Sequence, residues 1–182
     1  MQATPAIPAP ATPVPAFNAR AGTNLYRVYV YGEEVFVIRS VGQFGYVFFA
    51  VFGLLGALVW AIIRAIFRRR WDAATRKMDK MPPMQLLALD PNNYRMHRSE
   101  LPQQALEPAG RFQATGRYAA RWTFTYRNQS GNTFENSFEL LTKQDVDVAL
   151  RLLSTAMGDA LRVDIDWNVT KGRFVTRATR AS

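Results

Sequence analysis

The sequence predicts an α+β protein in which a small antiparallel sheet, covered by one amphipathic helix, is attached to a single transmembrane helix. Three observations predict this arrangement: an apolar run at 44–67, alternating strand patterns within 116–141, and a capped helical pattern that follows Thr142. A chain of 182 residues has room for one domain of ordinary size in addition to a membrane segment.

The apolar run, residues 44–67, contains a single charged residue, Arg64. As a helix it would rise about 36 Å, enough to cover the roughly 30 Å hydrocarbon core of a bilayer. A chain this short does not easily bury such a helix in a soluble core, so we predict a transmembrane helix over 41–70. The side chains expected within the membrane are Phe44, Tyr46, Phe49, Phe52, Leu54, Leu55, Leu58, Trp60, Ile62, Ile63, Ile66 and Phe67.

Small residues recur at every fourth position of the apolar run. They are Gly53, Ala57, Ala61 and Ala65. This spacing lets two helices approach closely in lipid, which predicts self-association, although Gly and Ala are also frequent in any membrane helix. Gly53 and Gly56 leave room for a bend near the midpoint.

Basic residues are concentrated beside the apolar run. The formal net charge is +9, of which 44–80 carries +5, 170–182 carries +4, 1–43 carries +1 and 81–169 carries −1. We name the basic residues beside the run the basic collar: Arg64, Arg68, Arg69, Arg70, Arg76, Lys77 and Lys80. The excess of Lys and Arg after the run favours a cytosolic position for the domain that follows, and the same residues would attract anionic lipid headgroups.

The N-terminal part contains a Pro-rich stretch and then a hairpin pattern. Five prolines within residues 1–17 predict a disordered arm. Residues 25–40 split at Gly32 into two runs rich in Val, Tyr and Phe, which predicts a β-hairpin. Both faces of this hairpin are largely apolar, so it needs a sheet or a membrane surface to rest on.

The position of the hairpin decides between two arrangements. If it belongs to the sheet of the later domain, both ends of the apolar run lie on one side of the membrane, and the run must bend. If the run spans the membrane, the hairpin lies on the other side without a sheet. Charge bias and length favour the span.

The clearest strand and helix patterns lie in the C-terminal half. Apolar residues alternate from Tyr118 to Tyr126 and again within 133–140, and pairing these faces sets Trp122 opposite Phe138. An amphipathic helix is predicted to follow, with Thr142 as its N-cap, Asp145 as the capping-box partner and Gly158 at its end. Its apolar face is formed by Val146, Ala149, Leu150, Leu153 and Met157.

The predicted organisation is a disordered arm over 1–24, a hairpin over 25–40, a transmembrane helix over 41–70, a basic juxtamembrane helix or linker over 71–83, an α+β domain over 84–169 and a basic flexible tail over 170–182.

Few residues suggest catalysis or metal binding. The chain has no cysteine and one histidine, His97, which lies two positions from Ser99 without a third, orienting group nearby in the sequence. Asp164 and Asp166 share one face of a predicted strand but lack a second ligand cluster. We therefore predict no catalytic residue, no metal site and no cofactor.

Aromatic residues and arginines on one strand are also typical of RNA-binding sheets. Here Trp122, Phe124 and Tyr126 share a face with Phe134 and Phe138, which is the pattern of a core. We therefore predict no nucleic-acid partner.

The stretch DPNNYRMHRSEL at 90–101, followed by the strand pair and the Thr142-capped helix, resembles bacterial membrane-tethered pleckstrin-homology-like domains of uncharacterised role. The resemblance covers residues 84–167 and implies a partly open barrel on the cytosolic side of the bacterial inner membrane. The final strand after the helix departs from the usual pattern, and no lipid-binding Lys-x-Arg loop is present to carry over.

The expected function is that of a non-catalytic, single-pass protein whose cytosolic domain is a scaffold or regulatory binding module. Its expected partners are the membrane, anionic lipids and a protein, or a second copy bound through the membrane helix. The alternative is a peripheral sensor of anionic headgroups that uses the basic collar and the tail, with the apolar run re-entrant rather than spanning.

Overall fold

The computed structural model describes residues 14–41, 69, 72–109, 119–127 and 131–177. Within these ranges ten strands form two sheets, and the chain also contains two α-helices and a helical stretch at 72–78. The strands are β1 (Ala16–Ala21), β2 (Asn24–Tyr31), β3 (Glu34–Val41), β4 (Tyr94–His97), β5 (Gln103–Pro108), β6 (Ala120–Arg127), β7 (Thr133–Leu140), β8 (Leu161–Val163), β9 (Ile165–Asn168) and β10 (Arg173–Thr176). The helices are α1 (Pro83–Leu87) and α2 (Lys143–Met157), and short 3₁₀ turns lie at Arg98–Glu100 and Gly158–Ala160.

The larger sheet has eight strands in the order β4-β3-β2-β1-β7-β6-β5-β8, and β9 pairs with β10 in a separate sheet. Neighbouring strands of the larger sheet are antiparallel, except that β5 and β8 are parallel. The first four strands follow one another in space, and β1 joins them to β7 through Ala19 and Arg20. The chain before the apolar run and the chain after it therefore share one sheet.

Helix α2 covers one face of the larger sheet. Thr142 and Asp145 form the predicted capping box, and Gly158 follows the last helical residue with a φ of 55°, which glycine adopts without strain. The helix buries Val146, Ala149, Leu153 and Met157, as its pattern predicted, whereas Leu150, expected on the same face, is only partly buried.

Aromatic rings form the centre of the core under α2. Trp122 packs against the rings of Phe17, Phe124 and Phe138 with centroid separations of 4.5 to 6.1 Å. The pairing of Trp122 with Phe138 confirms the register predicted for β6 and β7. The indole Nε1 of Trp122 donates a hydrogen bond to Oε1 of the buried Gln104 at 3.2 Å, so the ring's polar atom has a partner inside the core.

The β2–β3 hairpin is buried on both faces. Its inner valines belong to the core under α2, whereas Tyr29, Phe36 and Ile38 face the other side of the sheet, which we call the outer face. There they pack with Leu86 of α1 and with Met78. The two apolar faces of this hairpin thus pack against two different parts of the same chain.

The predicted fold class was wrong in its sheet and in its membrane helix. A small antiparallel sheet with one covering helix was expected, but the sheet is mixed, has eight strands and includes the hairpin at 25–40 and a strand, β1, that falls within the predicted disordered arm. The error arose because strand pairing across a long insertion leaves no local signal in the sequence. Among the described residues, no helix is long and apolar enough to cross a membrane, so the described fold lacks the transmembrane helix that the sequence predicted. The apolar run itself lies outside the described residues.

Candidate functional site

The chain returns to its starting sheet after residues 42–71. β3 ends at Val41, and its first half pairs with β4, so that Glu34 lies opposite His97 and Val37 opposite Tyr94. A segment that leaves from β3 must therefore return to the same sheet. The sequence between these two strands contains the apolar run and the whole basic collar.

One carboxylate fixes the returning chain to the outer face. Asp79 follows the helical residues 72–78 and accepts hydrogen bonds from Nε and Nη2 of Arg27, at 3.1 and 2.9 Å, and from the hydroxyl of Tyr29 at 2.9 Å. Arg27 and Tyr29 are two positions apart on β2, so both side chains extend from the same face. We call Arg27, Tyr29 and Asp79 the return contact.

The return contact is largely shielded from water. The ring of Tyr29 is buried, and the side chains of Arg27 and Asp79 are 15% and 24% exposed. Burial raises the pKa of the Tyr29 hydroxyl, and the hydrogen bond to Asp79 raises it further. The two-point geometry of Arg27 on one carboxylate is a strong form of ion pair.

The return contact continues across β1 to the start of α2. Arg27 Nη1 donates to Oδ1 of Asn18 at 3.0 Å, and the Asn18 side chain donates to Asp145 at 3.1 Å. Asp145 also accepts from the backbone N–H of Asn18 and completes the cap with Thr142. Polar contacts thus connect the chain that returns from the apolar run to the N-terminus of the longest described helix.

The strand registers identify the end of the sheet from which the apolar run departs. Leu25 lies opposite Val41, so the β1–β2 turn at 22–23 and the end of β3 are at the same end, which we call the exit end. β1 and β7 are antiparallel with Arg20 opposite Glu139, so 133–137 of β7 extend beyond β1 by about five residues, or roughly 17 Å. The β6–β7 hairpin therefore projects at the exit end.

The projecting hairpin presents an aromatic and a basic side chain there. Phe134 is 49% exposed, and Arg127, opposite Thr133, is exposed with no ion-pair partner in the ranges that the structure covers. Tyr126, opposite Phe134, is partly buried against the core. Phe134 lies on the core-side face of the hairpin and Arg127 on the opposite face. The end of the hairpin thus carries an exposed ring and a basic residue, two residue types that are common where proteins meet lipid headgroups.

Part of the basic collar lies in the described chain. Arg69, Arg76, Lys77 and Lys80 are exposed, and no ion pair involving them occurs among the residues described. Arg64, Arg68 and Arg70 lie outside the described residues, as do the twelve predicted membrane-facing residues from Phe44 to Phe67 and the stripe of Gly53, Ala57, Ala61 and Ala65. The four described basic side chains are thus available to an external anion.

His97 and Ser99 do meet, together with a residue that sequence reasoning missed. The hydroxyl of Ser99 lies 2.8 Å from His97 Nδ1, and Glu33 of the β2–β3 turn lies 3.5 Å from Nε2. The same Nδ1 accepts the backbone N–H of Ser99, and Glu100 accepts the N–H of His97, which makes a capping box for the 3₁₀ turn. His97 and Glu33 are 45% and 59% exposed, so the group lacks the water-excluded setting of a nucleophilic site, and a cap accounts for its geometry.

Asp164 and Asp166 do not form a carboxylate pair. The predicted single strand breaks at Asp164, and each carboxylate has its own arginine, Arg162 at 2.6 Å and Arg177 at 3.2 Å. Within the described part of the chain, no three acidic or histidine side chains converge as metal ligands. Comparisons with protein-family models, with curated proteins and with solved structures find no match to this chain.

Proposed function

We propose that the protein is a non-catalytic binding module that attaches to a membrane surface from one side, with its exit end toward anionic headgroups. The observation that carries this proposal is the pairing of β3 with β4. Because both strands belong to one sheet, we expect the described chain before 42–71 and the described chain after it to lie on the same side of any bilayer that the apolar run enters.

The charges at the exit end and beside the run support the same orientation. Arg127 and the described collar residues Arg76, Lys77 and Lys80 are exposed and lack ion pairs in the described chain. Each basic residue near an anionic surface contributes about 1 kcal/mol to binding. Phe134 adds an exposed ring on the projecting hairpin.

The absence of cysteine from the sequence makes a direct test of sidedness simple. One variant carries Thr23→Cys in the β1–β2 turn at the exit end, and a second carries Val169→Cys in the β9–β10 turn, where Val169 is 82% exposed. Intact cells are treated with a membrane-impermeant maleimide, and lysed cells provide the control for reactivity. We expect both cysteines to be protected in intact cells and labelled after lysis.

Labelling of one position and protection of the other in intact cells would overturn the proposal, because the two positions would then lie on opposite sides. Recovery of both variants in the soluble fraction after gentle lysis would contradict membrane attachment itself.

A further inference from the structure

A shallow groove lies at the end of the larger sheet opposite the exit end. It runs between the β2–β3 turn and the C-terminal half of α2, with a cavity volume of about 490 Å³. Its apolar lining consists of Leu152, which is partly exposed, and of Val30 and Ala156, which are core residues with 7% of their surface exposed. The groove is thus lined by aliphatic side chains from a strand and a helix that belong to one core.

Charged side chains border this apolar surface. Glu33 and Arg98 form a loose, exposed pair with 3.6 Å between Oε1 and Nη1, and Arg98 also lies beside Gly158 at the end of α2. Arg151 is exposed and has no ion-pair partner in the part of the chain that the structure describes. The rim therefore carries one arginine held by a weak pair and one arginine available to a new anion.

The position of the groove argues against a lipid ligand. Tyr31 lies opposite Glu34 and Leu25 opposite Val41, so the β2–β3 turn and the exit end are separated by the length of β3, about 23 Å. If the exit end meets the membrane, the groove faces away from it, toward soluble macromolecules.

We propose that the groove binds an extended segment of a partner protein in which an aliphatic residue neighbours a carboxylate. The aliphatic side chain would cover Val30, Leu152 and Ala156, and the carboxylate would pair with Arg151 and compete with Glu33 for Arg98. This inference rests on the proposed function, because the orientation of the exit end toward the membrane is what turns the groove toward a soluble partner, and it names the chemistry of that partner.

The test uses the full chain in detergent micelles and two synthetic peptides of equal length. One alternates leucine with glutamate, and the control peptide alternates leucine with lysine. We expect the acidic peptide to bind and to shift the methyl resonances of Val30 and Leu152, and the basic peptide to bind far more weakly. Arg151→Ala should weaken binding of the acidic peptide about tenfold, since a charge-assisted hydrogen bond is lost.

Two further variants sharpen the test. Arg173→Ala removes an exposed arginine from the separate β9–β10 sheet and should leave peptide affinity unchanged. Glu33→Gln removes the competing carboxylate and should strengthen binding. Equal binding of both peptides, unchanged affinity in Arg151→Ala, or no binding at millimolar peptide would each overturn the inference. Vesicle binding measured on the same variants reports on the proposed membrane attachment separately.

Discussion

The carboxylate of Asp79 joins the chain that follows the apolar run to the outer face of β2. Three donor atoms, two from Arg27 and one from Tyr29, share its two oxygens. Because the Arg27 side chain is only 15% exposed, its positive charge is poorly hydrated and is stabilised by Asp79 more than the charge of a surface arginine would be by its partner. Asp79 thus adds a charged contact to the β3–β4 pairing and the outer-face cluster that already join the chain on the two sides of the apolar run.

Asp79→Asn should lower the free energy of unfolding by about 1–3 kcal/mol, because it removes the charge that the partly buried Arg27 requires while keeping the side chain's size. Urea denaturation followed by circular dichroism measures the change. Asp147→Asn is the matched control, since Asp147 pairs with Lys143 on the exposed surface of α2 and such pairs contribute only about 0.3–0.5 kcal/mol. Equal losses in the two variants would show that the return contact has no special role.

Two tyrosines, the buried Tyr29 and the partly buried Tyr94, predict how stability changes at high pH. Burial raises the pKa of both Tyr29 and Tyr94 above the ordinary value of 10.0. Below pH 10 both hydroxyls are protonated in the folded and unfolded states, so their contribution is constant. Above pH 10 only the unfolded state loses these protons, so the free energy of unfolding should fall by up to about 1.4 kcal/mol per pH unit for each tyrosine.

Urea midpoints measured between pH 9 and pH 11 check this slope. The double variant Tyr29→Phe and Tyr94→Phe should flatten it, whereas Tyr31→Phe, at a ring that is 59% exposed, should leave it as it is. A slope that survives the double variant would assign the alkaline loss of stability to other groups.

At the scale of helices and strands, the sequence predicts those whose residues form a local pattern. It does not predict strands that form only by pairing with residues far away in the chain. The capping residues of α2, its buried face and the register of β6 with β7 were evident because caps and alternation act over a few residues. β1 was missed because its sequence, AFNARA, alternates weakly, and its strand form depends on β2 and on Asp145. Within the candidate site, the basic collar was evident from composition, but the partners of Asp79 and the approach of Glu33 to His97 depend on topology.

The start of α2 should be more sensitive at Asp145 than at its N-cap. Thr142→Ala removes a capping hydroxyl and should cost about 1 kcal/mol. Asp145→Ala removes the partner of Thr142 and also leaves the backbone N–H and the side chain of Asn18 without their acceptor, so it should cost about 2–4 kcal/mol. Chemical denaturation of both variants, and of Asn18→Ala with Asp145→Ala as a double-mutant cycle, measures the coupling between β1 and α2. Additive losses in that cycle would contradict it.

At the scale of the whole molecule, the apolar run is an insertion between two adjacent strands of one sheet. β3 and β4 pair directly, and the outer-face cluster of Tyr29, Phe36, Ile38 and Leu86 is built from chain on both sides of the insertion. The composition of the insertion was evident from the sequence. Its charge bias favoured a membrane span because the positive-inside rule assumes that the two flanks of an apolar segment lie in different compartments. The shared sheet removes that assumption.

This arrangement predicts that the fold and the proposed membrane attachment can be separated. Replacing 44–67 with a Gly/Ser-rich segment of equal length keeps the loop-closure entropy nearly constant, so β3 and β4 should still pair. The variant should keep the urea midpoint and the amide exchange protection of β3, but it should no longer sediment with membranes. Replacing Arg76, Lys77 and Lys80 with glutamine in the native chain is the companion variant, and it should weaken binding to anionic vesicles more than to neutral ones. If the Gly/Ser variant loses the pairing of β3 with β4, the apolar run stabilises the folded core. If it folds and still sediments with membranes, the rest of the chain carries the attachment.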